Sequence, residues 1–517
     1  MGTSADRTPR FFLPVLAIVA ALRLGYALAS PLDLVPDEAL YWDWGRQLDW
    51  CYDSKPPMIA WIFRAAGELG GNSEVAFRMT AVLFGALTLW FSYRLARELF
   101  GVAAASWAVA LQVATPGTVG LHGVLTIDPP LAAAWAAALW LFWGVARGNA
   151  GPGTRAGLVL VLVFGMLTKQ MMLVFPVLAG LFLAVDRGGP RGRWRVWALT
   201  SSVAFATALL PVLIWNARHG WVLFVHSGTH FRNSKSSLLT SALRNFPEFV
   251  GSQIGLGGVL VCLLVVACLV AALRNWRDLD AKVRYLLVFS VPGLALITLM
   301  SLRQRIHPNW PLVYYSSAYI LVGAWAAGAL PVLELGARWR RLAWPSIVLG
   351  LCLSAVFYAY VWAAPALGLA GTGMDPLARL RGWRRLGDEI SAYLDPTRDP
   401  APLVVVIGGR TIASGIAYYA PGRPRVYVWR RKPIVHTQYD LWGGPAHPLG
   451  RDFLFFVEGK DEQLPEEWAP CFDSVETLGV IRLQPDTVLE RRITVVRGAG
   501  LNALPHNLGN WAATTGV

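Results

Sequence analysis

Long apolar stretches alternate with short polar connections over the first three quarters of the chain. A helix needs about 20 apolar residues to cross a bilayer, and the sequence contains roughly eleven stretches that approach this length. They cover residues 11–29, 75–95, 102–118, 130–146, 156–167, 172–185, 196–214, 254–273, 285–302, 312–333 and 343–364. The pattern predicts an α-helical multispanning membrane protein with about 11 transmembrane helices.

The pattern changes near residue 375. Short runs of β-type residues occupy positions 403–409, 425–429 and 452–458, and a helix-like segment, RLRGWRRLGDEISAYL, precedes them. We therefore predict a transmembrane domain at 1–374, with an external loop at 30–74, and a small C-terminal soluble α/β domain at 375–517. Gly408 and Gly409 follow the first predicted strand, but no G-x-G-x-x-G motif follows, so a structural turn is favoured over a nucleotide site.

The composition narrows the class of protein. Charged residues make up 15% of the chain, against roughly 25% in soluble domains, and 55% of the residues are hydrophobic. These values exclude a soluble cytosolic enzyme, a disordered chain and a disulfide scaffold. The five cysteines form no metal or redox pattern, although Cys51 and Cys471 could pair if their segments share an oxidising compartment.

The net charge of +14 indicates membrane topology rather than nucleic-acid binding, because Lys and Arg accumulate in cytoplasmic loops. If the N-terminus is cytoplasmic, every predicted inside loop is basic. The stretch 156–185 must then hold two spans, since a single span would reverse the membrane orientation of every later loop. The loop 30–74 and the region 375–517 fall on the external side. The inside cations are Arg94, Arg97, Arg147, Arg155, Arg187, Arg191, Arg193, Arg195, Arg274, Arg277, Lys282, Arg284, Arg338, Arg340 and Arg341.

The external loop 30–74 concentrates acidic residues between two predicted spans. Its acids are Asp33, Asp37, Glu38, Asp43, Asp49 and Asp53, and Lys55 follows before two prolines. Aromatic residues are interleaved with them, namely Tyr41, Trp42, Trp44, Trp50 and Tyr52. A generic charge run is a solvated loop, but the interleaved aromatics favour an amphipathic segment along the membrane interface.

Asp128 lies at the predicted outer mouth of the fourth span, directly before two prolines. One interpretation is a helix N-cap followed by Pro in the first turn. The other is a carboxylate that opens on the same face as Asp37, which makes a paired-carboxylate site possible. Lys169, at the predicted break between the fifth and sixth spans, adds a cation there or snorkels from a helix end.

Two further groups are weaker candidates. His226 and His230 have i, i+4 spacing and, with His219, could bind a divalent metal if their loop is helical, although no third obvious ligand accompanies them. Arg303 and Arg305 precede PNWP in another predicted external loop. Cations at an outer interface commonly hold lipid phosphates, and the alternative is that they only flank a span.

Several segments together resemble a known family. They are PDEALYWDW, YDSKPPMIAWI, TIDPPL, the LTK stretch, PVLIWNARHGW, PNWP, LRGWRRLGDEI and QYDLW. The chain looks like the bacterial GT-C glycosyltransferases of the PMT-like superfamily, which are related to protein O-mannosyltransferases and lipid A aminoarabinose transferases. The resemblance implies a multispanning enzyme of the plasma (inner) membrane whose active site faces away from the cytoplasm and whose donor is a polyprenyl-phosphate-linked sugar.

The resemblance also implies roles for single residues. Asp37 would be the base or the group that orients the acceptor, with Glu38 and Tyr41 in support and Asp128 as the second acidic position. Lys55 would neutralise the donor phosphate. Asp53, Lys169, Arg303 and Arg305 complete the predicted substrate-binding set. We expect single displacement with inversion at the sugar carbon.

Two positions depart from the aminoarabinose transferases. Those enzymes carry a Glu implicated in metal binding before the Lys-Pro motif, where this chain has Ser54, and an Arg before the motif Tyr, where it has Leu40. No cofactor is therefore certain, and a divalent metal stays open. The acceptor is expected to be lipid A or lipopolysaccharide, another envelope glycan or a protein. A multispanning transporter or lipid flippase is the alternative function, and a scaffold that has lost catalysis is a third.

Overall fold

The computed structural model describes residues 9–229, 237–394, 399–459, 463–483 and 490–513. The chain divides into two compact units. The first, here called the helical unit, contains Met1–Ala29, Val75–Trp215 and Gly228–Ala359. The second, here called the mixed unit, contains Ser30–Glu74, Asn216–Ser227 and Tyr360–Val517. The mixed unit thus joins the predicted external loop and the C-terminal region in one folded body.

Helices account for most of the described residues. In chain order, α1 to α21 cover Pro9–Ala29, Pro36–Arg46, Met58–Gly70, Glu74–Phe100, Val102–Ala114, Gly117–Leu121, Asp128–Ala146, Pro152–Thr168, Val174–Val185, Arg193–Arg218, Val222–Thr229, Leu238–Gly257, Val259–Arg274, Ala281–Val288, Val291–Ser301, Leu312–Ala326, Ala337–Arg341, Ala343–Ala366, Trp383–Ile390, Arg410–Tyr419 and Gln438–Trp442.

Every predicted apolar stretch coincides with one of these helices or with a helix pair. Five helical segments in the described ranges are long and apolar enough to cross a membrane, and a sixth is added if the bent pair α12–α13 counts as one span. The remaining apolar helices have 10–17 residues. The multispanning helical class is thereby confirmed, whereas the count of about eleven spans remains a prediction.

One predicted span is not straight. The stretch 254–273 was expected to form a single helix, but the chain bends by 106° between α12 and α13. Gly258 lies at the bend with φ of +79°, a conformation that costs a residue with a Cβ atom. The apolar pattern could not show this bend, because apolar residues continue across it from Ile254 to Leu273.

Small residues allow close helix packing in the helical unit. A Cβ atom at Gly323 of α16 would lie 2.7 Å from both the carbonyl oxygen of Ala104 and the backbone nitrogen of Ala108. Both neighbours belong to α5, which is rich in alanine. Backbones that approach this closely are typical of helices packed inside a membrane, where small side chains form the interface.

The mixed unit contains a five-stranded sheet. Strands β1 to β5 cover Leu403–Ile407, Val426–Val428, Phe453–Glu458, Phe472–Leu483 and Arg491–Leu501, in the order β2-β1-β3-β5-β4. β1 pairs in parallel with β2 and β3, and β5 pairs antiparallel with β3 and β4. The helix α20 connects β1 to β2, as a parallel pair requires. The sheet confirms the predicted C-terminal α/β fold.

Three of the five strands lie where the β-type runs predicted them. The pair β4–β5 was not predicted, because β4 is largely exposed and its sequence, FDSVETLGVIRL, contains few buried apolar positions. The core of the unit packs against one face of the sheet through large aromatic side chains. Its aromatic members are Trp429, Phe453, Phe455, Trp468, Phe472 and Trp511.

Cys51 and Cys471 are both buried free thiols in the mixed unit. Cys51 accepts a contact from the side-chain amide of Asn216, whose nitrogen lies 3.6 Å from its sulfur. Burial raises the pKa of the Cys51 thiol to about 12, so this thiol stays protonated at neutral pH. The disulfide that the sequence left open is therefore not formed in this structure.

Candidate active site

Asp37 lies in the first turn of α2, within the mixed unit. Pro36 opens the helix, where its fixed φ is suited to the first turn and its missing N–H is not needed. Glu38 folds back so that its Oε2 accepts a hydrogen bond from the backbone N–H of Val35 at 2.9 Å. Glu38 is fully buried, so it fixes the beginning of the helix that carries Asp37.

The Asp37 carboxylate remains accessible. Its side chain is 46% exposed, and its Oδ1 lies 3.3 Å from Nη2 of Arg410, the first residue of α20. The two side chains meet although 373 positions separate them in the sequence. A half-exposed carboxylate beside one guanidinium is held in place but can still contact a substrate hydroxyl.

Two other acids of the segment 30–74, Asp33 and Asp43, are buried and serve the fold. Oδ2 of Asp33 accepts hydrogen bonds from the backbone N–H groups of Trp383 at 2.7 Å and Arg384 at 3.3 Å, and thereby caps α19. Oδ2 of Asp43 accepts a hydrogen bond from the hydroxyl of Tyr439 at 2.7 Å. Burial raises the pKa of both carboxyl groups. These two acids are structural.

Asp53 is also buried, with 2% of its surface exposed. Its backbone N–H donates to Oε1 of Gln438 at 2.9 Å. Burial raises the pKa of Asp53 to about 6, although the nearby charges of Arg410 and Lys55 lower it in part. Nζ of Lys55 donates to the carbonyl oxygen of Ser54 at 3.0 Å. Arg410 therefore lies near both Asp37 and Asp53, and Lys55 lies near Asp53.

Most of the interleaved aromatics are buried. Four of the five, including Tyr41, are at most 5% exposed, and only Trp50 is exposed. Tyr41 packs against Trp44, and Trp44 stacks on Tyr52 with ring centroids 4.5 Å apart. These rings form part of the interior of the mixed unit, and the location of the segment along the membrane interface stays a prediction.

Asp128 belongs to the helical unit and begins α7. The N-cap interpretation is wrong, since the carboxylate makes no capping hydrogen bond with the helix. Its Oδ1 lies 2.7 Å from Nζ of Lys169, and its Oδ2 accepts from Nδ2 of Asn309 at 2.5 Å. Lys169 has an extended backbone between α8 and the following turn.

A cleft of about 320 Å³ adjoins Asp128 in the helical unit. Its polar lining includes Asn309, Gln253 and Tyr315, and the Tyr315 hydroxyl donates to Oε1 of Gln253 at 3.2 Å. The Gln253 amide in turn donates to the carbonyl oxygen of Pro308 at 3.0 Å. Amides and hydroxyls around one carboxylate are groups that bind sugar hydroxyls through hydrogen bonds. Asp37 lies in the other unit, and its predicted pairing with Asp128 stays a prediction.

The remaining predicted residues are placed as follows. Arg305 forms an exposed ion pair with Glu248, 2.6 Å from Nη2 to Oε1, and Arg303 precedes it in the same loop. His226 lies in α11 and His219 precedes that helix, while His230 lies outside the described residues. Across the described ranges, no three His, Cys, Asp or Glu side chains are grouped as a metal site requires.

The turn after β1 is filled by a side chain. Oε2 of Glu458 accepts a hydrogen bond from the backbone N–H of Gly409 at 2.9 Å, at the beginning of α20. A phosphate bound by a helix N-terminus would have to occupy this position. The structure thus favours the structural turn over a nucleotide site, in agreement with the sequence pattern.

Two residues of the candidate site were not predicted. Arg410 could not be paired with Asp37 from sequence, because nothing in the pattern links α20 to the segment 30–74. Asn309 lies in PNWP, a segment noted for its resemblance to the family, so a signal existed. No local pattern connects Asn309 with Asp128, which lies 181 positions earlier.

Comparisons with known proteins bear on this fold. A family model described as dolichyl-phosphate-mannose-protein mannosyltransferase matches residues 54–215. Lipid A galacturonosyltransferase RgtD from Rhizobium johnstonii is 30% identical over 293 residues, which are 56% of this chain and 60% of that relative. The match thus spans less than two thirds of the relative's length.

Two solved structures share the fold. ArnT from Cupriavidus metallidurans, solved with undecaprenyl phosphate, has a TM-score of 0.63 at 18% sequence identity. The aligned region covers 97% of this chain and 99% of the ArnT chain. The mycobacterial arabinofuranosyltransferase AftD has a TM-score of 0.54 at 14% sequence identity. The aligned region covers 96% of this chain and 40% of the AftD chain. The predicted resemblance to the PMT-like superfamily is confirmed, and the chain has the GT-C fold.

Proposed function

We propose that this protein is a membrane glycosyltransferase that transfers a sugar from a polyprenyl-phosphate-linked donor to an acceptor of the cell envelope. The observation that carries the proposal is the accessible carboxylate of Asp37, anchored by Glu38 on one side and Arg410 on the other. The matched family model and the relative RgtD, named for transfer to lipid A, support this chemistry.

The proposed reaction is one displacement with inversion. Asp37 accepts the proton of an acceptor hydroxyl as its oxygen attacks the anomeric carbon of the sugar. The bond from that carbon to the phosphate oxygen breaks, and the lipid phosphate leaves with both bonding electrons. The leaving phosphate needs no proton when cations neutralise it, and Lys55 is the cation that we assign to this role.

The acceptor and the face of the membrane are part of the same proposal. A lipid-linked donor is the form in which an activated sugar reaches the external face of the inner membrane. We place the mixed unit on that face, with the N-terminus in the cytoplasm, because the predicted inside loops are basic. Lipid A or a related lipopolysaccharide is the acceptor that the similarity to RgtD supports.

Transfer by the purified full-length protein tests the proposal. The protein is reconstituted in liposomes with an undecaprenyl-phosphate-linked sugar and lipid A, and the product is measured by mass spectrometry. We expect product with the wild type and none above background with Lys55→Ala. Lys432→Ala is the matched control, because Lys432 is an exposed lysine of the same unit with no assigned role.

Two outcomes would contradict the proposal. One is the absence of transfer with every lipid-linked sugar tried, although the protein remains folded. The other is full activity of Lys55→Ala together with unchanged binding of undecaprenyl phosphate. Movement of a lipid across the bilayer without transfer would instead support a flippase.

A further inference from the structure

A cavity of about 420 Å³ lies within the mixed unit beside Asp37. This volume is in the range of roughly 300–1,000 Å³ that small-molecule sites occupy. Four arginines line it, and Asp37 is the one carboxylate among its lining residues in the described ranges. The arginines are Arg379, Arg381, Arg410 and Arg491. Guanidinium groups thus outnumber carboxylates on the lining, and the cavity carries net positive charge to the extent that the fold does not pair them.

The arginines differ in how far they are neutralised. Arg381 lies 3.3 Å from the fully buried carboxylate of Asp375, which fixes it as part of the wall. Nη1 of Arg491 lies 3.2 Å from Oε1 of Glu458, and its guanidinium lies over the ring of Trp383. These two arginines are therefore held in place by the fold itself.

The other two arginines keep capacity for a ligand. Within the described ranges, Arg410 forms one ion pair, at 3.3 Å with Asp37, and 40% of its side chain is exposed. Arg379 is exposed and has no carboxylate partner within the part of the chain that the structure describes. A guanidinium presents its N–H groups in a planar fork that matches a carboxylate or phosphate.

Apart from Thr411, the rest of the lining is apolar. Pro36 and Pro376 contribute fixed backbone, and Trp383 and Leu380 contribute carbon surface. A sugar ring has apolar faces and polar edges, and aromatic and aliphatic side chains commonly form one wall of such a site. The combination of an apolar wall and cationic groups fits a sugar that carries an oxyanion.

We propose that this arginine-lined cavity binds an oxyanion on a sugar, either a carboxylate or a phosphate, as a subsite next to Asp37. The anion is separate from the phosphate that links the donor to its lipid, which we assign to Lys55. The proposal rests on the proposed function in assigning the anion to a sugar substrate. The subsite proposal goes beyond the proposed function because it identifies the cavity, the arginines that bind the ligand and the negative charge of that ligand.

Calorimetric titration of the full-length protein in detergent tests the subsite. The probes are galacturonic acid, galactose 1-phosphate and neutral galactose, each in the presence of saturating undecaprenyl phosphate. We expect at least one anionic sugar to bind about tenfold or more tightly than galactose, as hydrogen bonds to a charged group predict. Preference for galacturonic acid assigns a carboxylate, and preference for galactose 1-phosphate assigns a phosphate.

Variants locate the binding. Arg379→Gln is expected to remove most of the preference for the anionic sugar, and Arg379→Lys to restore part of it, since the charge returns without the fork. Arg385→Gln is the matched control, because Arg385 is exposed on α19 and pairs with Glu389 outside the cavity. Arg379 is exposed, so its replacement should leave the fold intact.

Three results would overturn the proposal. They are equal binding of galactose and both anionic sugars, an unchanged preference in Arg379→Gln, and a preference for the anionic sugars that appears only when undecaprenyl phosphate is left out. Sugar transfer without such a preference would refute the subsite alone. A preference without any sugar transfer would refute the proposed function and leave the subsite.

Discussion

The two units hold their candidate carboxylates in opposite ways. In the helical unit, both oxygens of Asp128 are engaged, one by Lys169 at 2.7 Å and one by Asn309 at 2.5 Å. In the mixed unit, Asp37 has a single ion pair at 3.3 Å and a half-exposed side chain. Asp128 is only 10% exposed at its side chain, so its charge is balanced by the protein rather than by water.

This difference in how many carboxylate oxygens are engaged indicates different roles for Asp128 and Asp37. A carboxylate that is clamped on both oxygens has little remaining capacity to accept a proton, and its loss leaves a cation without its partner. A carboxylate held at one oxygen keeps the other for a substrate. We therefore expect changes at Asp37 to affect transfer and changes at Asp128 to affect stability.

The largest effect is expected from Asp37→Asn. Loss of a general base lowers the rate by about 10²- to 10⁴-fold, so kcat for sugar transfer should fall by that range. The melting temperature should change little, because Asp37 is half-exposed. Glu68→Gln is the control, an exposed acid of α3 in the same unit. Wild-type kcat in Asp37→Asn would remove Asp37 from the reaction.

Asp128→Ala should have the largest effect on stability. It leaves the poorly exposed Lys169 ammonium without its carboxylate, a loss of about 3–5 kcal/mol when one partner of a buried pair is removed. The double variant Asp128→Ala/Lys169→Met should recover much of this loss. Thermal unfolding of the four proteins in detergent gives the coupling free energy, and additive effects would contradict the clamp.

Asp53→Asn should stabilise the protein in a pH-dependent manner. The folded-state pKa of Asp53, about 6, lies above the value of roughly 3.9 for an unfolded aspartate. Its contribution to stability is thus complete below about pH 4 and is lost as the pH rises through 6. At pH 8 the variant should gain up to about 3 kcal/mol over the wild type, and at pH 4 almost nothing.

Thermal unfolding across this pH range is the measurement. Asp49→Asn serves as the control, since Asp49 is in the same segment but only partly buried. A gain that is equal at all pH values would show that the effect does not come from the titration of Asp53.

The smallest effect is expected from Arg305→Gln. Arg305 and Glu248 form an ion pair of the helical unit with a distance similar to that of Asp128 and Lys169, but their side chains are 77% and 44% exposed. Exposed pairs contribute about 0–1 kcal/mol, so unfolding should barely change. A loss as large as that of Asp128→Ala would mean that exposure does not explain the contrast between the two pairs.

Sequence reasoning succeeded where periodicity decides the structure. The apolar helices and the strands at 403–409, 425–429 and 452–458 follow from local pattern, and the segment 30–74 was singled out by its acids. It failed where distant residues meet. Nothing local places Arg410 beside Asp37 or Asn309 beside Asp128, and nothing local shows that Trp42 packs against Tyr418.

The composition of the mixed unit has a consequence for biosynthesis. Asp33 caps α19 through the backbone N–H of Trp383, 350 positions later, so the segment that carries Asp37 cannot complete its contacts until the last third of the chain emerges. At synthesis rates of about 5–20 residues per second, this delay is roughly 20–70 s. During that interval the buried acids and aromatic rings of 30–74 lack their final partners, and we expect chaperone dependence to concentrate there.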